Sequence, residues 1–338
     1  MKKTTVIIPN YNGVHFLAPC LKALYEDDQV PFDLIIVDNG STDGSVAYLQ
    51  EHDRMPDGRQ IRLIFNQKNQ GFCKAVNQGI EASETKYVIL LNNDTTVLPG
   101  FVWALEEALE SCEKSFSVSA LMLQMDRPEL IDGAGDYYCA LGWAFARGKG
   151  KKATDRQYLR RQEVFSACAG AAIYKKEVFT KIGMFDENHF AYLEDLDIGY
   201  RANIHGYHNY YEPAARVLHA GSGFSGSRYN EFKTNLASKN SVYVILKNMP
   251  LIQILLNLIF LIPGFLIKTL FFYKKGFGPA YLKGLVKGLK LGISIEGRKN
   301  RVRLQKNQLM SYVRIQFMLW QGLIQFLKGI IEDSFKEN

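Results

Sequence analysis

Four polar positions in this chain combine residue types suited to chemistry. Asp38 follows the apolar run Phe32–Val37 and opens Asp38-Asn39-Gly40-Ser41; a carboxylate there can accept hydrogen bonds from a base N–H or a ribose hydroxyl. Asn92-Asn93-Asp94 follows Lys86–Leu91 and offers the oxygen ligands that Mg2+ or Mn2+ prefers. One carboxylate suffices where phosphates and water complete the shell. Glu194-Asp195, with Asp197, supplies carboxylates of which one can serve as a general base. His219 stands just before the run Gly221-Ser222-Gly223-Phe224-Ser225-Gly226-Ser227, which reads as a flexible loop able to act as a lid. Each position also has a plainer reading. Asn, Asp and Gly are ordinary turn formers. Acidic residues in the first turn of a helix stabilise it through the dipole. A lone His is usually structural.

The elements that carry these residues favour the chemical reading. Short apolar runs at Thr4–Ile8, Phe32–Val37, Ile61–Phe65 and Lys86–Leu91 read as strands. Between them, Val14–Tyr25, Ser45–Glu51 and Phe72–Ala82 have helical spacing, and Pro99 opens a helix running through Ser111. Strands alternating with helices imply an α/β fold with a mostly parallel central sheet and helices on both faces. Each strand ends in a polar cluster: Pro9-Asn10-Tyr11-Asn12-Gly13, then Asp38 to Ser41, then Asn66 to Gly71 including Asn69, then Asn92 to Asp94. In open α/β sheets ligands bind at the carboxyl ends of the strands, and such an edge is what a nucleotide requires. Further on, Phe165–Tyr174 reads as a strand, and Lys175–Ile182 and Leu193–His205 as helices. Lys74 and Arg201 are candidates for phosphate or acceptor contact, or are solvated charges on helix faces.

Charge divides the chain in two. The net charge is +7, yet Lys274–Asn338 holds thirteen Lys and Arg against four Asp and Glu, so the rest is slightly negative at −2. A basic, Leu- and Ile-rich tail on a near-neutral body points to an anionic surface touched by the tail. Leu251–Ile267 has no charge but is interrupted by Gln253, Asn257, Pro263 and Gly264, and continues to Tyr273 at the edge of spanning length. Tyr281, Leu282, Leu285, Val286 and Leu289 share one helical face, and Lys283, Lys287 and Lys290 another, the pattern of a helix lying in a membrane interface. Tyr312–Ile330 repeats it more weakly; a helical hairpin packing on the body or on a second subunit would explain the same pattern. The organisation expected is a catalytic domain over 1–235 and a helical, basic region over 236–338. Five cysteines without a C-x-x-C pair argue against a disulfide framework or a zinc site. Lys2 and Lys3 lead into only Val6-Ile7-Ile8 before Pro9, so no signal peptide is expected. Nucleic acid is not an expected partner, because the basic tail carries no recognition motif.

Taken together, Val6–Gly13, Val37–Ser45, Asn69-Gln70-Gly71-Phe72 with Asn77-Gln78-Gly79, Leu90–Thr95, and Gly183–Glu187 leading into Phe190–Asp197 resemble the family 2 glycosyltransferases of the GT-A fold, over roughly residues 4 to 240. The closest look is to bacterial rhamnosyltransferase-like members that build surface polysaccharides. The resemblance implies a GT-A nucleotide-diphospho-sugar transferase fold with C-terminal amphipathic helices. It implies that Asp38 binds base and ribose, and that Pro9, Asn10, Tyr11, Asn69, Gly71, Asn92, Asn93 and Glu194 line the nucleotide-sugar site. Asp94 would be the metal ligand of a DxD-like motif whose first position is here Asn92, one carboxylate fewer than in many members. His219 would complete the site for Mn2+ or Mg2+, and Asp195 would be the catalytic base of an inverting transfer. The expected partners are a nucleotide diphosphate sugar, a lipid-linked saccharide acceptor and the cytoplasmic face of the cell membrane, with a homodimer through the C-terminal helices as a further option. By resemblance alone the donor is dTDP-rhamnose; UDP-galactose, UDP-N-acetylglucosamine or UDP-glucose would use the same motifs. A non-catalytic scaffold of a polysaccharide assembly complex is the alternative from another class.

Overall fold

The computed structural model describes residues 2–27, 29–221 and 229–334. The strands are β1 (Thr4–Asn10), β2 (Phe32–Asp38), β3 (Arg62–Phe65), β4 (Tyr87–Leu91), β5 (Thr95–Val97), β6 (Ser115–Gln124), β7 (Ile131–Gly133), β8 (Asp136–Cys139), β9 (Trp143–Ala146), β10 (Gln162–Val164), β11 (Ala171–Lys175) and β12 (His208–His219). The helices are α1 (Val14–Glu26), α2 (Ser45–Glu51), α3 (Phe72–Ala82), α4 (Phe101–Ser111), α5 (Lys176–Ile182), α6 (Glu194–Ile204), α7 (Glu231–Asn248), α8 (Leu251–Lys274), α9 (Gly278–Ile293), α10 (Ile295–Lys299) and α11 (Leu309–Ser334). They form two compact units. The first comprises Met1–Asp136, Ala146–Ala202 and Tyr207–Arg228; the second comprises Tyr137–Phe145, Asn203–Gly206 and Tyr229–Asn338. Because α7 begins at Glu231, a boundary at residue 235 falls inside that helix.

The main sheet of the first unit runs β10-β12-β6-β11-β4-β1-β2-β3, with β5 added to β12 and β7 to β6. Strands β4, β1, β2 and β3 are parallel, and the register pairs Asn10 with Asp38 and Asp38 with Phe65. Their polar ends therefore share one edge. Strand β11 is antiparallel between β4 and β6, pairing Ala171 with Leu91, so the residues just before it arrive at that same edge. Strand β12 lies antiparallel to β5 and pairs His219 with Thr95, the neighbour of Asp94.

Alternation along the central strands explains the layers. Val6, Ile8 and Ile36 pack with Leu17, Leu21, Leu49, Phe101 and Leu105 of α1, α2 and α4. Ile7, Ile35 and Val37 face the other way, onto Val76, Ile80, Phe179 and Ile198 of α3, α5 and α6. A strand buried on both faces reads as a continuous apolar run, as these do.

Two local expectations are corrected. Helix α4 starts at Phe101 rather than at Pro99, because Gly100 at φ 83° turns the chain into it. The buried Asp27 carboxylate caps this helix, accepting the N–H groups of Gly100 at 2.9 Å and Val102 at 2.8 Å. Of the run Phe165–Tyr174 only the part from Ala171 onward belongs to β11, which continues to Lys175. Before it the chain folds back, with Ala171 N–H bonded to Cys168 O at 3.2 Å, which leaves neighbouring N–H groups free of the sheet ladder.

Candidate active site

At the nucleotide-binding edge predicted from sequence, amides link the strand ends. Asn93 Nδ2 donates to Asn10 Oδ1 at 2.6 Å, and Asn10 Nδ2 donates to Asp38 Oδ2 at 2.8 Å. The other Asp38 oxygen accepts the Ser41 N–H at 2.9 Å. Asp38 is fully buried, one layer beneath the surface, and braces the Pro9–Gly13 and Gly40–Thr42 turns. Tyr11, Asn12 and Ser41 carry the partly exposed surface there.

A second hub is Asn39. Its side chain donates to Asn69 Oδ1 at 3.0 Å and Gly71 O at 3.1 Å, and accepts from Asn66 Nδ2 and the Gln70 N–H, both at 3.1 Å. This holds Gly71 at φ 91° and ψ 161°, a conformation essentially confined to glycine. A Cβ at Gly71 would lie 2.7 Å from both the ring and the carbonyl oxygen of Phe190. Gly71→Ala is therefore expected to cost about 2–5 kcal/mol, backbone strain and overpacking together. Urea denaturation would measure it, and a loss below 1 kcal/mol would contradict this packing.

Phe190 opens the loop that delivers the acidic pair. Among the described residues five non-glycine positions have positive φ, and three of them are Phe190 (66°), Tyr192 (69°) and Leu193 (64°). Such strain collects where a side chain must be aimed. The loop leads into α6. Glu194 is buried, and its Oε2 has no hydrogen-bond partner among the described residues. Asp195 Oδ1 accepts the Leu196 N–H at 2.7 Å, and its carboxylate also takes the Ala169 N–H. Since Gly170 O accepts the Asn92 N–H at 2.8 Å, residues 169–170 tie Asp195 to the Asn92–Asp94 turn.

Asp195 has neighbours that the sequence did not mark. Ligand-type atoms of Asp136, Cys168 and Asp195 all lie within 4.8 Å of one another. Burial, joined by the charges of Asp195 and Glu194, pushes Asp136 well above the carboxylate range. Burial lifts Glu194 to about 8, with help from Asp195. It lifts Asp195 to about 6 against the opposing pull of the Leu196 and Ala169 N–H groups. Burial also raises the Cys168 thiol well above its ordinary value. A thiol held protonated is a poor ligand, and sulfur does not suit Mg2+ or Mn2+. This cluster is better built to take up and release a proton.

The metal-type donors converge elsewhere. Asp94 Oδ1 and His219 Nε2 are 3.5 Å apart. One ion bound to both at about 2.1 Å requires a separation below about 4.2 Å, so the pair fits a divalent cation. Asp132, on β7, accepts from His219 Nδ1 at 2.7 Å and is itself paired with Lys149 Nζ at 2.6 Å. Burial would raise Asp132, but His219 and Lys149 hold it at about 2. Burial would lower His219, but hydrogen bonds to Asp132 and Asp94 lift it to about 9. Without metal the ring is therefore protonated on both nitrogens near neutral pH; a divalent cation would displace the Nε2 proton, while Asp132 would hold the other on Nδ1, an arrangement common around metal-bound His. Asp132→Ala is expected to weaken Mn2+ binding about 10–100-fold. Electron paramagnetic titration of free Mn2+ in the presence of UDP would read this. Unchanged binding would remove Asp132 from the site.

Two expected contacts resolve differently. Arg201 is buried and bonded to Asp197 at 2.9 and 3.0 Å, and to the carbonyls of Gly183 at 3.0 Å, Met184 at 2.8 Å and Ile182. The i, i+4 spacing of Asp197 and Arg201 on α6 makes it a brace, in place of a phosphate contact. Lys74 is partly exposed and pairs with Glu187 at 3.1 Å, on the helix that Gly71 opens. Of the Gly221–Ser227 run, residues 222–227 lie outside the described residues.

Comparison with known proteins bears on this arrangement. Residues 5–183 match the sequence pattern of Glycosyl transferase family 2. The chain is 28% identical over 236 residues to N-acetylglucosaminyl-diphospho-decaprenol L-rhamnosyltransferase of Mycobacterium tuberculosis, covering 63% of this chain and 75% of that protein. It is similar to GalNAc-T7 crystallised with UDP, GalNAc and Mn2+, at TM-score 0.59 and 16% identity, over 73% of this chain and 48% of that one. It is also similar to the mannosyltransferase PcManGT from Pyrobaculum calidifontis in complex with GDP-Man and Mn2+, at TM-score 0.55 and 14% identity, over 96% of this chain and 87% of that one.

Proposed function

Because the chain belongs to glycosyl transferase family 2 and has the GT-A fold of its structural neighbours, we propose that it is an inverting enzyme moving a sugar from a nucleoside diphosphate to a hydroxyl of a lipid-linked saccharide. The observation that carries this reading is the placement of Asp195. A carboxyl lifted by burial into the range of a general base is tied through residues 169–170 to the Asn92–Asp94 turn.

In the proposed reaction the Asp195 carboxylate accepts the proton of the acceptor hydroxyl. The acceptor oxygen bonds to the anomeric carbon on the face opposite the diphosphate. The bond from that carbon to the diphosphate oxygen breaks, and the electron pair stays on the leaving group. Asp94 and His219 would hold Mn2+ or Mg2+, which when bound supplies positive charge for the diphosphate. Pro9, Asn10, Tyr11, Asn69, Gly71, Asn92 and Asn93 would bound the nucleotide-sugar site, with Asp38 and Asn39 fixing its walls from beneath. Burial is what raises the proton affinity of Asp195, and Asp136 and Glu194, themselves pushed above the usual carboxylate range, stay protonated beside it at neutral pH. No step requires a covalent intermediate.

The donor proposed first is dTDP-rhamnose, supported by the rhamnosyltransferase name of the mycobacterial relative, which also specifies a polyprenyl diphosphate acceptor. UDP-galactose, UDP-N-acetylglucosamine and UDP-glucose are the alternatives. The setting proposed is the cytoplasmic face of the cell membrane, in cell-wall or surface polysaccharide synthesis. Proton NMR of the first product tests the mechanism. The new linkage is expected to have the anomeric configuration opposite to the donor's; retention would exclude single displacement with Asp195 as base.

A further inference from the structure

The C-terminal unit is packed inside out. In α8 the buried residues are Gln253, Asn257, Leu261 and Gly264, whereas every exposed residue from Leu251 to Ile262 is Leu or Ile. Asn257 is 0% exposed and Ile259 is 74% exposed. At 3.6 residues per turn the exposed positions cover about half of the helix circumference. A water-soluble helix has the reverse distribution.

The buried amides are satisfied within the unit. Asn257 and Gln316 of α11 exchange two hydrogen bonds of 2.8 Å, and Gln253 Nε2 donates to Gln316 Oε1 at 3.3 Å. Helix α9 meets α7 through Gly284, Gly288 and Gly292, spaced four apart. A Cβ at Gly284 would fall 1.8 Å from Ser238 Oγ, and one at Gly288 2.3 Å from Lys239 O. Interhelical amide pairs and close glycine contacts are how helices associate where no water is present to drive them together. The rim has a sign. Lys283, Lys287 and Lys290 are exposed on α9, and Lys274 and Lys275 close α8.

We propose that this unit is inserted in a lipid bilayer, with the Leu/Ile face of α8 in the hydrocarbon and the lysines of α9 at anionic headgroups, so that the protein is integral rather than peripheral. Helix α8 has 24 residues, about 36 Å, against a hydrocarbon core of about 30 Å. The basic rim complements anionic lipid. A second copy could cover an apolar stripe, but buried amides are what a hydrocarbon surrounding selects. This deepens the membrane setting proposed above and does not depend on the donor.

The test uses the full chain in membranes and in vesicles of phosphatidylglycerol and phosphatidylcholine. Wild type and a Lys283→Gln, Lys287→Gln, Lys290→Gln variant are both expected to stay with membranes through 1 M salt and pH 11 carbonate, and to leave only in detergent. Brominated acyl chains are expected to quench Trp320, on the partly exposed side of α11. Leu255→Asp with Ile259→Asp is expected to shift the protein to the carbonate-soluble fraction. Release of wild type by salt, or a monodisperse dimer without lipid or detergent, would overturn the proposal. Sugar transfer to a soluble acceptor analogue, measured in parallel, separates failure of insertion from failure of the transferase reading.

Discussion

Replacing Asp195 with asparagine is expected to lower kcat for transfer by about 10^2–10^4-fold, the usual worth of a general base. Donor affinity should hardly change, because Asp195 is bonded to the Leu196 and Ala169 N–H groups. In wild type, kcat/KM should rise with pH through about 6 as the Asp195 carboxyl ionises. The same substitution has an opposite effect on stability. Asp195 and Glu194 titrate at about 6 and about 8 in the fold, above the ordinary 3.8 and 4.5. The folded chain therefore holds more protons than the unfolded one across this window, and stability falls as pH rises from about 4 to about 8. Asparagine carries no charge to bury. The variant should melt above wild type at pH 8, and the gap should close near pH 4. An inactive variant that is also less stable at pH 8 would attribute the loss to unfolding.

Replacing Asp94 with alanine should reduce transfer by about 10^2–10^3-fold, the scale for losing one preorganised electrostatic partner of a leaving group. It removes one of the two donors that converge 3.5 Å apart, and His219 alone is a weak site. It also takes away a carboxylate that raises the His219 pKa, so that pKa should fall, which NMR of the imidazole would follow. The first position of this motif is Asn92, a neutral amide that brings no negative charge to a cation, so it should not compensate. Full activity of Asp94→Ala in the presence of EDTA would show that transfer proceeds without metal at this position.

What the sequence made legible is set by the distance over which each feature is encoded. Asp38 and Asp94 could be located at one edge because each lies at or just past the end of a buried apolar run and parallel strands share a polar edge. Asp195 could be placed because its neighbours in the chain form a recognisable motif. Asp132 could not, since it sits on a three-residue strand 87 positions from the His219 it orients. Asp136 and Cys168 meet Asp195 only through the fold. Asn39 stood in a quoted motif, but a residue type common in turns conceals a hub that only its four partners reveal. Arg201 was misleading for a simple reason. Its i, i+4 partner Asp197 is fully buried, and a buried guanidinium must spend its donors internally. In α8, Gln253, Asn257, Pro263 and Gly264 looked like interruptions; the helix runs unbroken, and Gln253, Asn257 and Gly264 are its inner face.

Donor binding and turnover across a panel of dTDP- and UDP-sugars, with Mn2+, Mg2+ or EDTA, for wild type and Asp94→Ala, tests the central claim most directly. The expected result is metal-dependent selection of one donor, dTDP-rhamnose first, lost in the variant. Failure to bind any nucleotide sugar with any metal would contradict the enzymatic reading and leave the chain as a scaffold.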